Sequence, residues 1–233
     1  MVDAVVMAAG EGIRLRPVTT RWPKPVLPID GRPVIATLLR ELALAGCRRV
    51  TVVTGHLAEQ VESVAGDGSG FGVDVRFARQ PRPVGSADAV SHAFDAGARA
   101  PALIVVADTV FTSGDIGRFL EEAAGSAGAL AVHPEPPTRP GAATVRVAGG
   151  LVTRVPDDAP GSPFAAAPLW FYSERLAPFL TNLPGPPFEL AVGYQRAIDA
   201  GEEIRAVEIG ETRDLTDPLD LVKENFPYLR SNE

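Results

Sequence analysis

Residues 3–25 read "DAVVMAAGEGIRLRPVTTRWPKP", and the order of the parts decides the fold. Asp3 to Ala8 is a continuous apolar run of strand length, the pattern of a strand covered on both faces. Gly10 and Gly12 end it, and Arg14, Arg16, Arg21 and Lys24 follow in a loop stiffened by prolines. Helical periodicity comes next: in "PVIATLLRELALAG", Ile35, Leu38, Leu39 and Leu42 share one face. A buried strand that feeds a helix through a glycine loop opens an α/β sheet.

The alternation continues outward. "RRVTVVT" is another buried strand, "LAEQVESVAG" a helix, "GVDVRFA" an alternating strand, "SADAVSHAFDAG" a helix with Ser86 at its N-cap, and "PALIVVAD" a strand ending on Asp108. Strands joined by helical crossovers imply a mostly parallel, Rossmann-like sheet, in which ligands collect beyond the carboxyl ends of the strands. Both the cationic loop and Asp108 fall there.

From residue 134 the texture turns rich in Pro and Gly, with short runs such as "AATVRVAG" and "LVTRV" that suggest hairpins. The segment 134–172 is expected to be a small β-rich insertion covering the substrate pocket. Helices return at "SERLAPFL" and "FELAVGYQRAIDAG", then a strand "EEIRAVEI" and a last helix near "TDPLDLVKEN", capped by Thr216 or Asp217 with Pro218 in its first turn. The expectation is a single α/β domain over 1–233, a mixed, mostly parallel sheet flanked by helices, with no internal repeat.

Composition limits the partners. A net charge of −7 over 233 residues excludes a general electrostatic footprint for nucleic acid or an anionic membrane, so a phosphate-bearing ligand must be held locally. Cys47 is the only cysteine, and the first residues carry no cationic region followed by a long apolar one, which together read as a cytoplasmic chain. Nothing in the sequence specifies an oligomeric state; a homo-oligomer is open to it.

The loop matches neither common phosphate motif. After Gly10 and Gly12 no third glycine completes a dinucleotide fingerprint, and Gly-Lys-Ser/Thr is absent. What remains is glycine backbone able to approach a phosphate, with Arg14 and Lys24 beside it. That set suits a polyphosphate whose charge rises during reaction. Lys24 is one of only two lysines, with Lys223. Arg16 and Arg21 are expected to be solvated or paired with acids such as Glu11, and His56, His92 and His133 show no metal-ligand spacing.

These residues resemble the signature of the sugar-1-phosphate nucleotidylyltransferases: Met7-Ala8-Ala9-Gly10-Glu11-Gly12, Arg14, Pro17, Thr19 and Pro23-Lys24-Pro25. "QPRPVGSADAV", "VVADTVF" and "RDLTDPLDL" resemble the family's base-reading loop, metal-binding strand end and closing metal motif. The resemblance implies that Met7, Ala8, Ala9, Gly10, Glu11 and Gly12 hold the nucleotide, Arg14 binds the leaving pyrophosphate, and Lys24 bridges the reacting phosphates. It implies that Gln80, Gly85 and Ser86 read the base, and that Asp108 and Asp214 hold Mg²⁺. The implied reaction is attack by a sugar-1-phosphate oxygen on the α-phosphorus of a nucleoside triphosphate, with UTP or dTTP favoured.

Three departures fall mainly on the sugar side. Ile13 replaces a Thr or Ser; Asp157-Asp158-Ala159 stands where Glu-Lys-Pro is common; and Ala166 and Pro168 replace residues of the pocket floor. Gly141 and Asp157 still align as sugar contacts, and Arg139 or Arg154 could stand in for the lost lysine. Two alternatives follow: a cytidylyltransferase acting on phosphocholine or another non-sugar phosphate, and a non-catalytic nucleotide-sugar-binding relative.

Overall fold

The computed structural model describes residues 2–135, 143–157 and 164–226. In chain order the elements are β1 (Asp3–Ala8), β2 (Pro28–Ile29), β3 (Arg32–Pro33), α1 (Val34–Leu44), β4 (Arg49–Thr54), α2 (Ala58–Ala65), β5 (Asp74–Arg79), α3 (Ser86–Asp95), β6 (Ala102–Val106) and β7 (Thr109–Val110). They continue with α4 (Asp115–Ala123), β8 (Gly128–His133), β9 (Thr144–Ala148), β10 (Leu151–Arg154), β11 (Phe164–Tyr172), α5 (Leu190–Asp199), β12 (Ile204–Glu208), β13 (Arg213–Asp214) and α6 (Pro218–Asn225).

Nine strands form one sheet in the order β5-β4-β1-β6-β11-β8-β12-β10-β9. β4, β1, β6 and β5 are parallel, as are β8 and β12, while β11 runs antiparallel to both β6 and β8. The parallel strands therefore end on one common edge. The alternation of side chains along β1 sends Ala4, Val6 and Ala8 into one core with Ile35, Leu38 and Leu39 of α1 and Phe119 of α4. Val5 faces the other core, with Val90 of α3 and Leu190 and Tyr194 of α5. This is a sheet covered on both faces, as the continuous apolar strands require.

Four local readings change. The α3 helix begins at Ser86 with Gly85, not Ser86, at its N-cap. Glu174–Leu180 is a run of 3₁₀ turns containing Pro178, which cannot donate to an α-helical ladder. α4 and β8 lie in a stretch that sequence reading left unassigned. "FAAAPLWFY", at the end of the stretch read as an insertion, is β11, a central strand. Its ladder with β8 shifts register between Ala166 and Trp170, where Pro168 supplies no N–H. The β9–β10 hairpin adds to the far edge of the sheet. At the last helix, Asp217 caps α6 in a capping box with Asp220, with Pro218 in the first turn.

A third, small core joins the two ends of the chain: Leu15, Leu27, Ile29, Val34 and Leu215 are all buried together. Among the described residues no helix is long and apolar enough to cross a membrane.

Candidate active site

Beyond β1 the chain makes three short 3₁₀ turns, Ile13–Leu15, Val18–Thr20 and Lys24–Val26. Gly12 starts them at φ 62, and a Cβ there would stand 2.8 Å from Thr19 Cγ2 and 2.9 Å from Lys24 Cγ. The missing side chain is what lets the Lys24 stem lie across the loop. Thr19 Oγ1 donates to Gly12 O at 2.9 Å and closes the turn. From the side, α2 and the loop before it hold the same segment: His56 Nε2 lies 2.8 Å from Thr19 O, and Gln60 Nε2 donates to Arg21 O at 2.9 Å.

Lys24 reaches out of this frame and donates from Nζ to Asp108 Oδ2 at 2.5 Å, both side chains being largely withdrawn from water. Asp108 lies just past β6, between that strand and β7. The antiparallel pairing of β7 with β13 sets Asp214 opposite Thr109, the residue after Asp108. Asp214 Oδ1 accepts from Thr216 Oγ1 at 3.0 Å. Two carboxyl-bearing residues far apart in sequence are thus brought to one short ladder at the carboxyl edge.

Lys24 and Asp108 line a cavity of about 450 Å³ whose wall also includes Met7, Ala8, Gly10, Glu11, Gly12 and Arg14; Thr216, not Asp214, reaches it from the β13 side. Ala9 is buried behind it, where a Cβ on Gly55 would press on the Ala9 backbone. Arg14 is exposed at the wall and, among the described residues, makes no hydrogen bond or ion pair. Arg16, by contrast, pairs with Glu11 at 3.0 Å, as its sequence position suggested. A free guanidinium, an ammonium held by one carboxylate, and glycine backbone on one wall can receive a chain of phosphates. Ile13, Leu15, Pro25, Pro83, Val106 and Thr216 complete the wall; of these, Leu15, Pro83 and Val106 are given no role by the sequence reading.

The loop after β5 is built from contacts within the protein. Gln80 is buried, and its Nε2 donates to Gly85 O at 3.0 Å and Asp88 Oδ2 at 2.8 Å. Gly85 has φ 128, and a Cβ there would collide with the Phe188 backbone. Phe188 N donates to Val84 O at 2.7 Å, and Ala87 N to Phe188 O at 2.9 Å. Ser86 Oγ donates to Glu189 Oε2 at 2.5 Å and accepts from Leu190 N at 2.8 Å, so its hydroxyl fastens the start of α5. Of this loop, Pro83 reaches the cavity wall.

On the sugar side, Asp157 is buried under a forked contact from Arg146, Nε to Oδ2 at 3.2 Å and Nη2 to Oδ1 at 3.1 Å. Gly141, Arg139 and Asp158 lie outside the described residues, and Arg154 ends β10. Arg213, next to Asp214, is gripped by Asp30 and Glu224 at 2.6 Å each. Its hydrogen bonds to Asp30, and then to Glu224, hold its pKa above the ordinary arginine range. His133 Nε2 lies 3.2 Å from Thr212 Oγ1 and His92 Nε2 3.5 Å from Asp88 Oδ2, both protein-internal contacts. Among the described residues no group of three or more His, Cys, Asp or Glu stands together as a metal cage. The two acids that the resemblance assigns to Mg²⁺ are carboxylates, of which that ion takes one or two while filling its sphere with water and substrate phosphate; Asp108 lines the cavity, and Asp214 is held opposite Thr109 in the neighbouring ladder.

Residues 3–202 match the family model described as nucleotidyl transferase. A mannose-1-phosphate guanylyltransferase of Mycobacterium tuberculosis is 37% identical over 91 residues, which is 39% of this chain and 25% of that protein. A glucose-1-phosphate thymidylyltransferase of Xanthomonas campestris is 30% identical over 194 residues, 81% of this chain and 66% of that protein. The chain thus spans between a quarter and two thirds of the length of these relatives. The solved structure of a UDP-glucose pyrophosphorylase from Acinetobacter baumanii superposes with a TM-score of 0.80 at 20% identity, covering 100% of this chain and 95% of that one. The chain belongs to the nucleotidyl transferase family.

Proposed function

We infer that the protein joins a nucleoside triphosphate to a sugar-1-phosphate, releasing pyrophosphate, with UTP or dTTP as the nucleotide and UTP slightly favoured. The observation that carries this reading is the cavity wall itself: Arg14, without a hydrogen bond or ion pair among the described residues, and Lys24 held on Asp108, around the glycine backbone of Gly10 to Gly12. The main-chain N–H groups of that loop cradle phosphate oxygens. Arg14 takes the charge that develops on the departing pyrophosphate, and Lys24 lies between attacking and leaving groups. Asp108 and Asp214 would hold Mg²⁺, which supplies neutralisation of charge at the reacting phosphate. The attacking phosphate monoester is already anionic at neutral pH, so the protein provides position and charge and no nucleophile of its own. The single, buried cysteine fits a reducing, cytoplasmic setting.

A second acceptor class, a non-sugar phosphate, is favoured by one observation: Asp157, aligned as a sugar contact, already has its carboxylate engaged by Arg146. Pyrophosphate release over a panel of five nucleotides crossed with hexose-1-phosphates, N-acetylated sugar-1-phosphates and phosphocholine separates these cases. Release with UTP or dTTP and a sugar-1-phosphate supports the reading. Release with phosphocholine alone replaces the acceptor, and binding of nucleotide with no release under any pairing replaces the enzyme by a binding protein.

A further inference from the structure

His56 is not one of the described residues lining the cavity, yet it ties down both arms of the loop that lines it. Its backbone N–H donates to Ala9 O at 3.3 Å, on the arm that leaves β1, and its ring Nε2 lies 2.8 Å from Thr19 O, on the arm that returns. A carbonyl oxygen can only accept, so this contact assigns the ring proton to Nε2. The approach is close because Gly55, the preceding residue, has no side chain: a Cβ there would stand 2.8 Å from Ala9 O. Leu57, the next residue, turns the chain into α2 at φ 49, a left-handed conformation that leucine rarely adopts. Backbone bent in this way persists only where its surroundings hold it. Gln60, in the first turn of α2, adds a second hold, from Nε2 to Arg21 O at 2.9 Å.

From Thr19 the hold passes inward through short contacts. Thr19 is buried, its hydroxyl donates to Gly12 O at 2.9 Å, and Gly12 O also accepts from Leu15 N at 2.9 Å. The Thr19 methyl and the Lys24 stem close on the same side of Gly12, at 2.8 Å and 2.9 Å from where a Cβ would stand. The lysine stem is thus seated in a notch formed with Thr19, and its ammonium ends on Asp108. Close-packed atoms transmit a displacement to their neighbours. Without the donor on its carbonyl, Thr19 is free to shift, and the seat of Lys24 shifts with it.

We propose that His56 is a positioning residue for Lys24: by donating from Nε2 to Thr19 O it fixes the loop that seats the lysine stem, without touching substrate itself. The consequence for catalysis rests on the proposed role of Lys24, so the first measurement reads the lysine without turnover. Lys24 and Lys223 are the only lysines of the chain, so protein labelled with ¹³C at lysine Cε gives two side-chain signals, which Lys223→Arg assigns. Wild type is compared with His56→Leu, which keeps bulk and removes the donor. His56→Gln is the conservative variant, because its amide nitrogen lies as many bonds from Cα as the ring Nε2. The same proteins are then assayed for pyrophosphate release.

In His56→Leu the Lys24 signal should move toward that of exposed Lys223, or broaden, while the Lys223 signal stays in place; His56→Gln should restore it. In the assay, kcat should fall roughly tenfold to a hundredfold, the loss expected when a group at the reacting centre is misplaced by about an ångström. KM for the nucleotide should stay within about twofold of wild type, and His56→Gln should recover most of kcat. A lower unfolding midpoint with the Lys24 signal unmoved would make His56 a staple of the fold and overturn the inference, as would a shift that His56→Gln does not reverse. Should His56→Leu not fold, His56→Asn, whose amide is one bond too short to reach Thr19 O, is read in the same way. If the Lys24 signal follows His56 but kcat does not, or no substrate pair turns over, the positioning stands and the proposed role of Lys24 falls.

Discussion

Lys24 Nζ donates to Asp108 Oδ2 at 2.5 Å, which joins the loop after β1 to the residue beyond β6 across the mouth of the cavity. Each group sits in low exposure, the lysine side chain at 14% and the aspartate at 25%. The ammonium is therefore fixed at the cavity wall, and under the proposed reading little reorganisation would be left for the reaction.

Replacing Asp108 with Asn keeps the shape and removes the charge. Turnover should fall by roughly a hundredfold to a thousandfold, the usual loss when one electrostatic stabiliser is removed. Asp214→Asn should cost a similar factor. The double variant should be far less than multiplicatively worse if, as proposed, both acids serve one ion. Steady-state pyrophosphate release, in excess Mg²⁺ and with EDTA, measures all four proteins; activity that survives EDTA would remove the metal from the account.

Gly12→Ala should damage both fold and activity. The residue sits at φ 62, and the new methyl would stand 2.9 Å from the Lys24 stem. Strain of this kind costs on the order of 1–3 kcal/mol. Thermal unfolding should register that loss, and pyrophosphate release should fall further because Lys24 must move. A variant as stable and as active as wild type would show that the loop has slack.

Ser86→Ala tests whether the hydroxyl serves the fold or the nucleotide. It removes the acceptor of the Leu190 N–H and the donor to Glu189. Leaving such groups unpaired costs about 1–3 kcal/mol. The expected result is a lower unfolding midpoint with the ratio between nucleotides kept. An unchanged midpoint with a raised KM for the nucleotide would assign Ser86 to direct contact with the base.

Cys47 should be inert in the native protein. Burial, with a smaller contribution from Asp3, pushes its thiol from 9.0 up to about 11. The thiolate is the reactive form, so a thiol reagent at pH 8 should modify the folded chain far more slowly than the unfolded one. Because the unfolded thiol loses its proton first, this group makes the native state less stable as pH rises from 9 to 11. Labelling at equal rates in both states would place Cys47 at the surface.

The first half of the fold was legible because its signals are local. Continuous apolar strands such as Asp3–Ala8 and one-faced helices such as Val34–Leu44 announce themselves within a few residues. β11 was not, because Pro168 and the run of alanines look like loop until neighbouring strands fix them. Gly10, Gly12, Arg14 and Lys24 could be singled out because they stand in one short stretch, and Asp108 because it closes a local apolar strand; the structure lines one cavity with all five. What hid was the second use of polar side chains. No spacing in "QPRPVGSADAV" says that Ser86 turns to Glu189 or that Asp88 takes the Gln80 nitrogen; those partners are chosen by how α3 and α5 meet.

The ladder between β7 and β13 makes the site depend on the order of synthesis. The glycine loop, Arg14, Lys24 and Asp108 all leave the ribosome early, while Thr109 must wait for Asp214, and Leu15 for Leu215 in the small core. Under the proposed reading, a nascent or prematurely ended chain can grip a triphosphate but lacks the second acid. Under that reading, chemistry is withheld until Asp214 and Leu215 have joined the residues that precede them by a hundred positions and more.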